Sequence, residues 1–101
     1  SSYEVIMQNM VNVEAVLETF EEHSFEVIIL EVQMNKGNGW EIFQAIKDKY
    51  DIPIIVMADD EKLKNTKEFK EFGCDDYITR SFSSLMLNEI IYNVIKKSYQ
   101  L

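Results

Sequence analysis

Phe25-Glu26-Val27-Ile28-Ile29-Leu30-Glu31-Val32-Gln33-Met34-Asn35-Lys36-Gly37-Asn38-Gly39-Trp40 is the stretch that decides the fold. The apolar run from Phe25 to Leu30 is rich in branched residues and does not alternate with polar ones, as a strand buried on both faces requires. It stops at one carboxylate, Glu31, and a glycine-containing loop leads from there into helix-forming residues. Strand, loop and helix in that order are the start of a parallel crossover unit.

The same alternation runs along the whole chain. Tyr3 to Met7 reads as a short strand. Val13, Val16, Leu17 and Phe20 then recur at helical spacing, with Asn12 placed to cap the helix and acidic residues on its other side. Trp40 to Tyr50 is the next helix, with Phe43, Ile46 and Tyr50 on one face. Pro53 opens a strand Ile54-Ile55-Val56-Met57 that closes at Asp59-Asp60. Leu63 to Phe72 is a lysine-rich helix stopped by Gly73. Cys74 to Thr79 is a further strand, and Ser83 or Ser84 caps a last helix carrying Leu87, Ile90, Ile91, Val94 and Ile95. Strands and helices alternating in this way predict an α/β protein, a doubly wound parallel sheet of four to five strands with helices on its faces. Chemistry in such sheets gathers at the carboxyl ends of the strands, where Glu31, Ala58 and Arg80 stand.

Composition bounds the possibilities. A chain of 101 residues is one small domain, 1–101, with no linker, repeat or low-complexity tract. No apolar run approaches the roughly 20 residues a membrane helix needs, and Ser1-Ser2-Tyr3-Glu4 does not read as a signal peptide. The single cysteine, Cys74, excludes an internal disulfide and fits a reducing cytoplasm. A net charge of −8 argues against direct nucleic-acid binding and favours protein partners.

Three blocks, in order and at matching spacing, resemble the receiver domains of bacterial response regulators (CheY-like). The stretch through Glu31 and Met34 to Gly39 is similar to the phospho-acceptor segment, an apolar strand ending in Asp and followed by x-x-Met-Pro and a Gly-containing loop. Pro53 to Ala58 resembles the receiver strand that ends in Thr or Ser. Gly73-Cys74-Asp75-Asp76-Tyr77-Ile78-Thr79-Arg80-Ser81-Phe82 resembles the pattern Gly-Ala-x-x-Tyr-x-x-Lys-Pro-Phe. The resemblance covers nearly the whole chain from Tyr3 and implies a flavodoxin-like fold. It makes Glu31 the phospho-acceptor equivalent, Arg80 the lysine equivalent, and Ala58 and Tyr77 the switch positions.

The departures from the pattern fall on the chemistry. Glu31 replaces Asp, Asn35 replaces the first Pro, Ala58 replaces the hydroxyl residue, Arg80 replaces Lys, and Ser81 replaces the second Pro. Ala58 cannot hydrogen-bond a phosphoryl group. Without proline, a trans bond at Arg80-Ser81 is expected, which re-aims the Arg80 loop. The first strand, its acidic pair and the first helix of a receiver are also expected to be missing. The sheet is then truncated at its N-terminal side, and one face keeps only the last helix as cover. In an alternative register Tyr3 to Met7 is the first strand, and Gln8 and Asn9 occupy the acidic-pair positions. Neither register provides a Mg²⁺ site, so no metal and no cofactor are expected.

Each residue carries competing readings. Glu31 is a solvated carboxylate, a partner for the planar fork of Arg80, or a fixed mimic of a phosphorylated acceptor. Tyr77 is a half-buried strand-end tyrosine or a switch, and the space left by Ala58 predicts that it is held inward. Asp59 and Asp60 read as turn or cap residues before they read as a metal pair. His23 is expected at an exposed helix end, Cys74 as a small buried residue, and Trp40 against the loop near Glu31. The lysines at 62, 64, 67 and 70 interleave with glutamates as a solvated face or, alternatively, a docking face. The expected function is that of an atypical two-component receiver, a phosphorylation-independent protein-interaction module whose partner is a signalling protein or its own second copy. The alternative is a phospho-accepting regulator with unusual residues. No catalytic residue, and no enzyme activity, is expected: a small hydrolase has no nucleophile–base pair or Gly-rich phosphate loop to support it.

Overall fold

The computed structural model describes residues 13–32, 39–59, 65–72, 74 and 76–99, with the side chain of residue 68 left aside. Its elements are α1 (Val13–Glu22), β1 (Ile28–Glu31), α2 (Gly39–Lys49), β2 (Ile54–Ala58), α3 (Lys67–Phe72), β3 (Asp76–Thr79) and α4 (Ser84–Tyr99). Among the described residues the sheet has three strands in the order β1-β2-β3. All pairings are parallel, with Ile28 opposite Ile54 and Glu31 opposite Met57 on one side of β2. On its other side Ile55 faces Asp76 and Ala58 faces Thr79. The expected Tyr3–Met7 strand and the Asn12 cap lie outside the described residues.

β2 is the centre of the molecule. Ile54, Ile55, Val56 and Ala58 are all fully buried, so both faces of this strand are covered. Its even-numbered residues join Leu30, Ile42, Phe43 and Ile46 in one core, against which Val13, Val16, Phe20, Phe69, Phe72 and Tyr77 pack. Helices α1, α2 and α3 therefore share one face of the sheet. On the other face Ile55 and Ile78 meet Ile91 and Val94, with Leu87, Ile90 and Ile95 alongside. Among the described helices, α4 covers that face alone, and Ile29 of β1 remains 37% exposed.

Local chemistry sets the element ends. Ser83 is the cap of α4: its hydroxyl accepts from the Met86 N–H at 3.1 Å and its carbonyl accepts from Leu87 at 3.0 Å, the arrangement an N-cap serine makes. Thr66 caps α3 by accepting from the Phe69 N–H at 3.3 Å. β1 starts three residues later than the apolar run suggests. Phe25 turns instead onto the edge of Phe20 at 5.2 Å, closing the C-terminal end of α1, while Phe20 stacks on Tyr50 at 4.7 Å. β3 starts at Asp76 instead of Cys74; the half-buried Cys74 packs against the core from outside the strand.

Gly39 makes a different kind of contact. A methyl group there would overlap the backbone of Val32, a residue only 1% exposed. The start of α2 and the end of β1 approach so closely that only glycine fits. That contact holds α2 against the strand end that carries Glu31.

Candidate functional site

The parallel register brings three charged residues to one end of the sheet. Glu31 ends β1, Asp59 follows the last residue of β2, and Arg80 follows the last residue of β3. Because Ala58 and Thr79 are register partners, Asp59 and Arg80 stand one step beyond the same rung. The Arg80 N–H donates to the Ala58 carbonyl at 2.7 Å, extending the ladder by one bond and pinning the base of the arginine.

The guanidinium then engages both acids. Its Nε lies 2.6 Å from Asp59 Oδ1, and a terminal nitrogen bonds Glu31 Oε1. Glu31 is the more sheltered carboxylate, its side chain 27% exposed against 67% for Asp59. One cation between two anions leaves a local charge of −1. That cation is permanent, since a guanidinium does not lose its proton in proteins.

The expected Glu31–Arg80 pairing is present, and Asp59 is the member the sequence reading did not include. It bonds Arg80 and does not serve only as a turn residue; Asp60 lies outside the described residues. The signal was available, because residues one step past register partners on adjacent parallel strands are neighbours. What was missing was the register itself.

Ala58 is fully buried and carries only a methyl group. Tyr77 packs its ring against the core cluster that contains Ala58, edge-on to Phe69 at 5.6 Å, with its hydroxyl oxygen buried. The ring therefore lies inward. Trp40 stacks on Phe72 at 4.9 Å and meets the edge of Phe43 at 5.5 Å, so its described neighbours are on α3 and its own helix. The loop it was expected to cover, 33–38, is outside the described residues. His23 is exposed at the end of α1 as expected. Lys67 and Lys70 are exposed, Lys67 facing Glu71 at 3.8 Å one turn away, which is a solvated face.

Among the described residues, both carboxylates at this end of the sheet are engaged by one guanidinium. Phosphoryl transfer to a carboxylate needs the incoming oxygens neutralised by a metal and a protein cation together. Here the guanidinium sits where it ties up Glu31 and Asp59 at once. Among the described residues no group of three or more His, Cys, Asp or Glu converges to hold a metal; the Gln8 and Asn9 positions fall outside them. A shallow groove of about 660 Å³ between α1, α2 and α3 is lined by Val13, Trp40, Gln44 and Phe72 among others, and by none of Glu31, Ala58, Asp59, Tyr77 or Arg80. Among the described residues, no helix is long and apolar enough to cross a membrane.

Comparison with known proteins agrees with the fold. The family model described as "Response regulator receiver domain" matches residues 1–92. The chain is 35% identical over 86 residues to the "Probable transcriptional regulator ycf27" of Cyanidium caldarium, covering 85% of this chain and 34% of that protein. It is 30% identical over 95 residues to the heme response regulator HssR of Staphylococcus saprophyticus, covering 94% of this chain and 42% of that protein. It thus spans well under half the length of these curated relatives. Among solved structures, the CheY-like receiver domain protein of Methanospirillum hungatei superposes with a TM-score of 0.68 at 20% identity, over 83% of this chain and 68% of that one. A two-component response regulator from Clostridium difficile gives 0.63 at 22% identity, over 88% and 70%.

Proposed function

Since the chain belongs to the response regulator receiver domain family of two-component signalling, we propose that residues 1–101 form one atypical receiver that works as a protein-interaction module without accepting phosphate. One observation carries this reading: the Arg80 guanidinium occupies the acceptor-position carboxylate and the neighbouring Asp59 together. A receiver that takes up phosphate needs its acceptor carboxylate free for a metal and an incoming phosphoryl group. This one closes the acceptor with a built-in cation. Ala58 supports the same reading, because it offers no hydrogen bond to a phosphoryl oxygen. With Tyr77 packed inward against Ala58's cluster, the surface around β3 and α4 is held in one state. Output then comes from docking a signalling protein or a second copy in the cytoplasm, and not from a phosphorylation cycle.

The competing reading is a phospho-accepting receiver in which Glu31 forms the acyl phosphate. Incubation with acetyl phosphate and Mg²⁺, followed by intact-mass measurement, separates the two. No adduct is expected, and beryllofluoride should leave Trp40 fluorescence unchanged. An added phosphoryl group that disappears in Glu31→Gln would overturn the proposal.

A further inference from the structure

We propose that the groove between α1, α2 and α3 is the docking site for a basic amphipathic helix of a partner protein. Its apolar side chains seat on Trp40 and Phe72, and its cations are met by Glu14, Glu41 and Asp48. The inference rests on the interaction-module reading and gives that module a surface and a partner chemistry.

The groove of about 660 Å³ opens where the start of α1, one side of α2 and the end of α3 meet. On α2, Glu41, Ala45 and Asp48 fall at i, i+4 and i+7 and so share a face, while Ile42, Phe43 and Ile46 are buried in the core. Ala45 is the smallest side chain of that row, and its methyl group leaves the hollow open. Trp40 and Phe72 form one wall: their rings stack at 4.9 Å, and both are half-buried. An apolar hollow bounded by helices and open to solvent suits the apolar side of a further helix.

The rim sets the charge of what enters. Every ionisable side chain lining the groove is an acid, Glu14 on α1 with Glu41 and Asp48 on α2, and all three are exposed. Among the described residues none of the three is in an ion pair. Asp48 accepts from the Gln44 amide at 2.6 Å, a neutral partner that leaves its charge uncompensated. The lysines of α2 and α3 do not line the groove. One of them, Lys47, sits over the Phe43 ring at 6.0 Å, so the aromatic cluster that Phe43 shares with Trp40 and Phe72 already attracts an ammonium. Glu41 and Asp48 are two turns apart, about 10.5 Å along α2. Two lysines or arginines at the same seven-residue spacing on a second helix face both acids at once. The net charge of −8 adds long-range attraction for a basic segment.

Trp40 is the single tryptophan of the chain, so its fluorescence reads the groove directly. The probe is an amphipathic helical peptide of about 14 leucines and lysines, free of aromatic residues. Titrated into the full chain at low ionic strength, it should shift Trp40 emission saturably at micromolar concentration. A leucine–glutamate peptide of the same pattern should not. Glu41→Lys with Asp48→Lys should raise the dissociation constant about tenfold or more. Glu21→Lys with Glu22→Lys makes the same change of net charge at the far end of α1 and should raise it about threefold or less. Ala45→Phe, which fills the hollow, should abolish binding. The four charge positions are exposed, and unchanged far-ultraviolet dichroism checks that the variants fold. An unmoved Trp40 signal, equal binding of the glutamate peptide, or a loss as large in the Glu21 and Glu22 pair as in the Glu41 and Asp48 pair overturns the proposal. Each of these results leaves the phosphate-independent reading standing, just as an adduct on Glu31 would leave this groove standing.

Discussion

Arg80 reaches Glu31 across an intervening strand. Glu31 ends β1 and Arg80 follows β3, with β2 between them, so their backbones are two strand spacings apart, roughly 9–10 Å. Two long side chains close that distance, and Asp59 at the end of β2 takes the arginine's Nε on the way. An aspartate in place of Glu31, one methylene shorter, and a lysine in place of Arg80, with no fork, would each span it less well. The reach and shape of Glu31 and Arg80 therefore fit each other.

That coupling is measurable. A double-mutant cycle with Glu31→Gln and Arg80→Ala, read by urea unfolding, should give a coupling of about 0.2–1 kcal/mol, because both side chains keep contact with solvent. Raising the salt concentration should shrink it. A coupling near zero at low salt would mean the pair is not held in solution.

Gly39→Ala should be far more costly than its size suggests. The added methyl group meets the Val32 backbone, which cannot swing aside as a side chain tip can. Overpacking of this kind costs about 1–3 kcal/mol. The same substitution at an exposed helix position normally stabilises, so a melting temperature that rises in Gly39→Ala would contradict the close approach.

Ala58→Thr places a hydroxyl and an extra methyl group where Ala58 is now fully buried. Destabilisation of about 1–3 kcal/mol is expected, with displacement of the Tyr77 ring from its inward position. Ring chemical shifts of Tyr77 report the displacement directly. A variant as stable as the parent, with unmoved Tyr77 signals, would show that the region has room for a hydroxyl.

Stability should fall at strongly alkaline pH through Tyr99. Its hydroxyl pKa is raised above the ordinary 10.0, first by burial and then by the negative charges of Glu26 and Asp51. A raised folded-state value means the folded protein holds the proton more tightly. The contribution is therefore complete below the unfolded value near 10.0 and is lost as pH climbs through the folded one. Ionisation also removes the donor to the Glu26 carbonyl. Tyr99→Phe should flatten this part of the pH–stability curve while leaving the neutral range little changed.

Much of this was legible in the sequence. The apolar run ending at Glu31, the Pro53–Ala58 strand and the Leu87–Ile95 stripe are local patterns, and the physics that produces strand and helix acts over the same few residues. The order of elements predicted a parallel doubly wound sheet, and the carboxyl ends of its strands located Glu31, Ala58 and Arg80. Boundaries were less legible: Phe25 belongs to an aromatic cluster with Phe20, and no strand propensity within residues 25–27 reports that contact.

Tertiary structure decided what depends on register and reach. Asp59 becomes the second carboxylate on Arg80 only because Ala58 and Thr79 are partners, a pairing between residues far apart in the chain. Ser83 rather than Ser84 caps α4, its hydroxyl accepting from the Met86 N–H and its carbonyl from Leu87. Leu85, Tyr92 and Tyr99 read in the sequence as ordinary helix residues. Their exposure follows from which side of α4 faces the sheet. The sequence by itself determined the elements and their order. Folding decided which charges meet and which apolar side chains stay open, because both depend on distances between strands and helices that no local pattern contains.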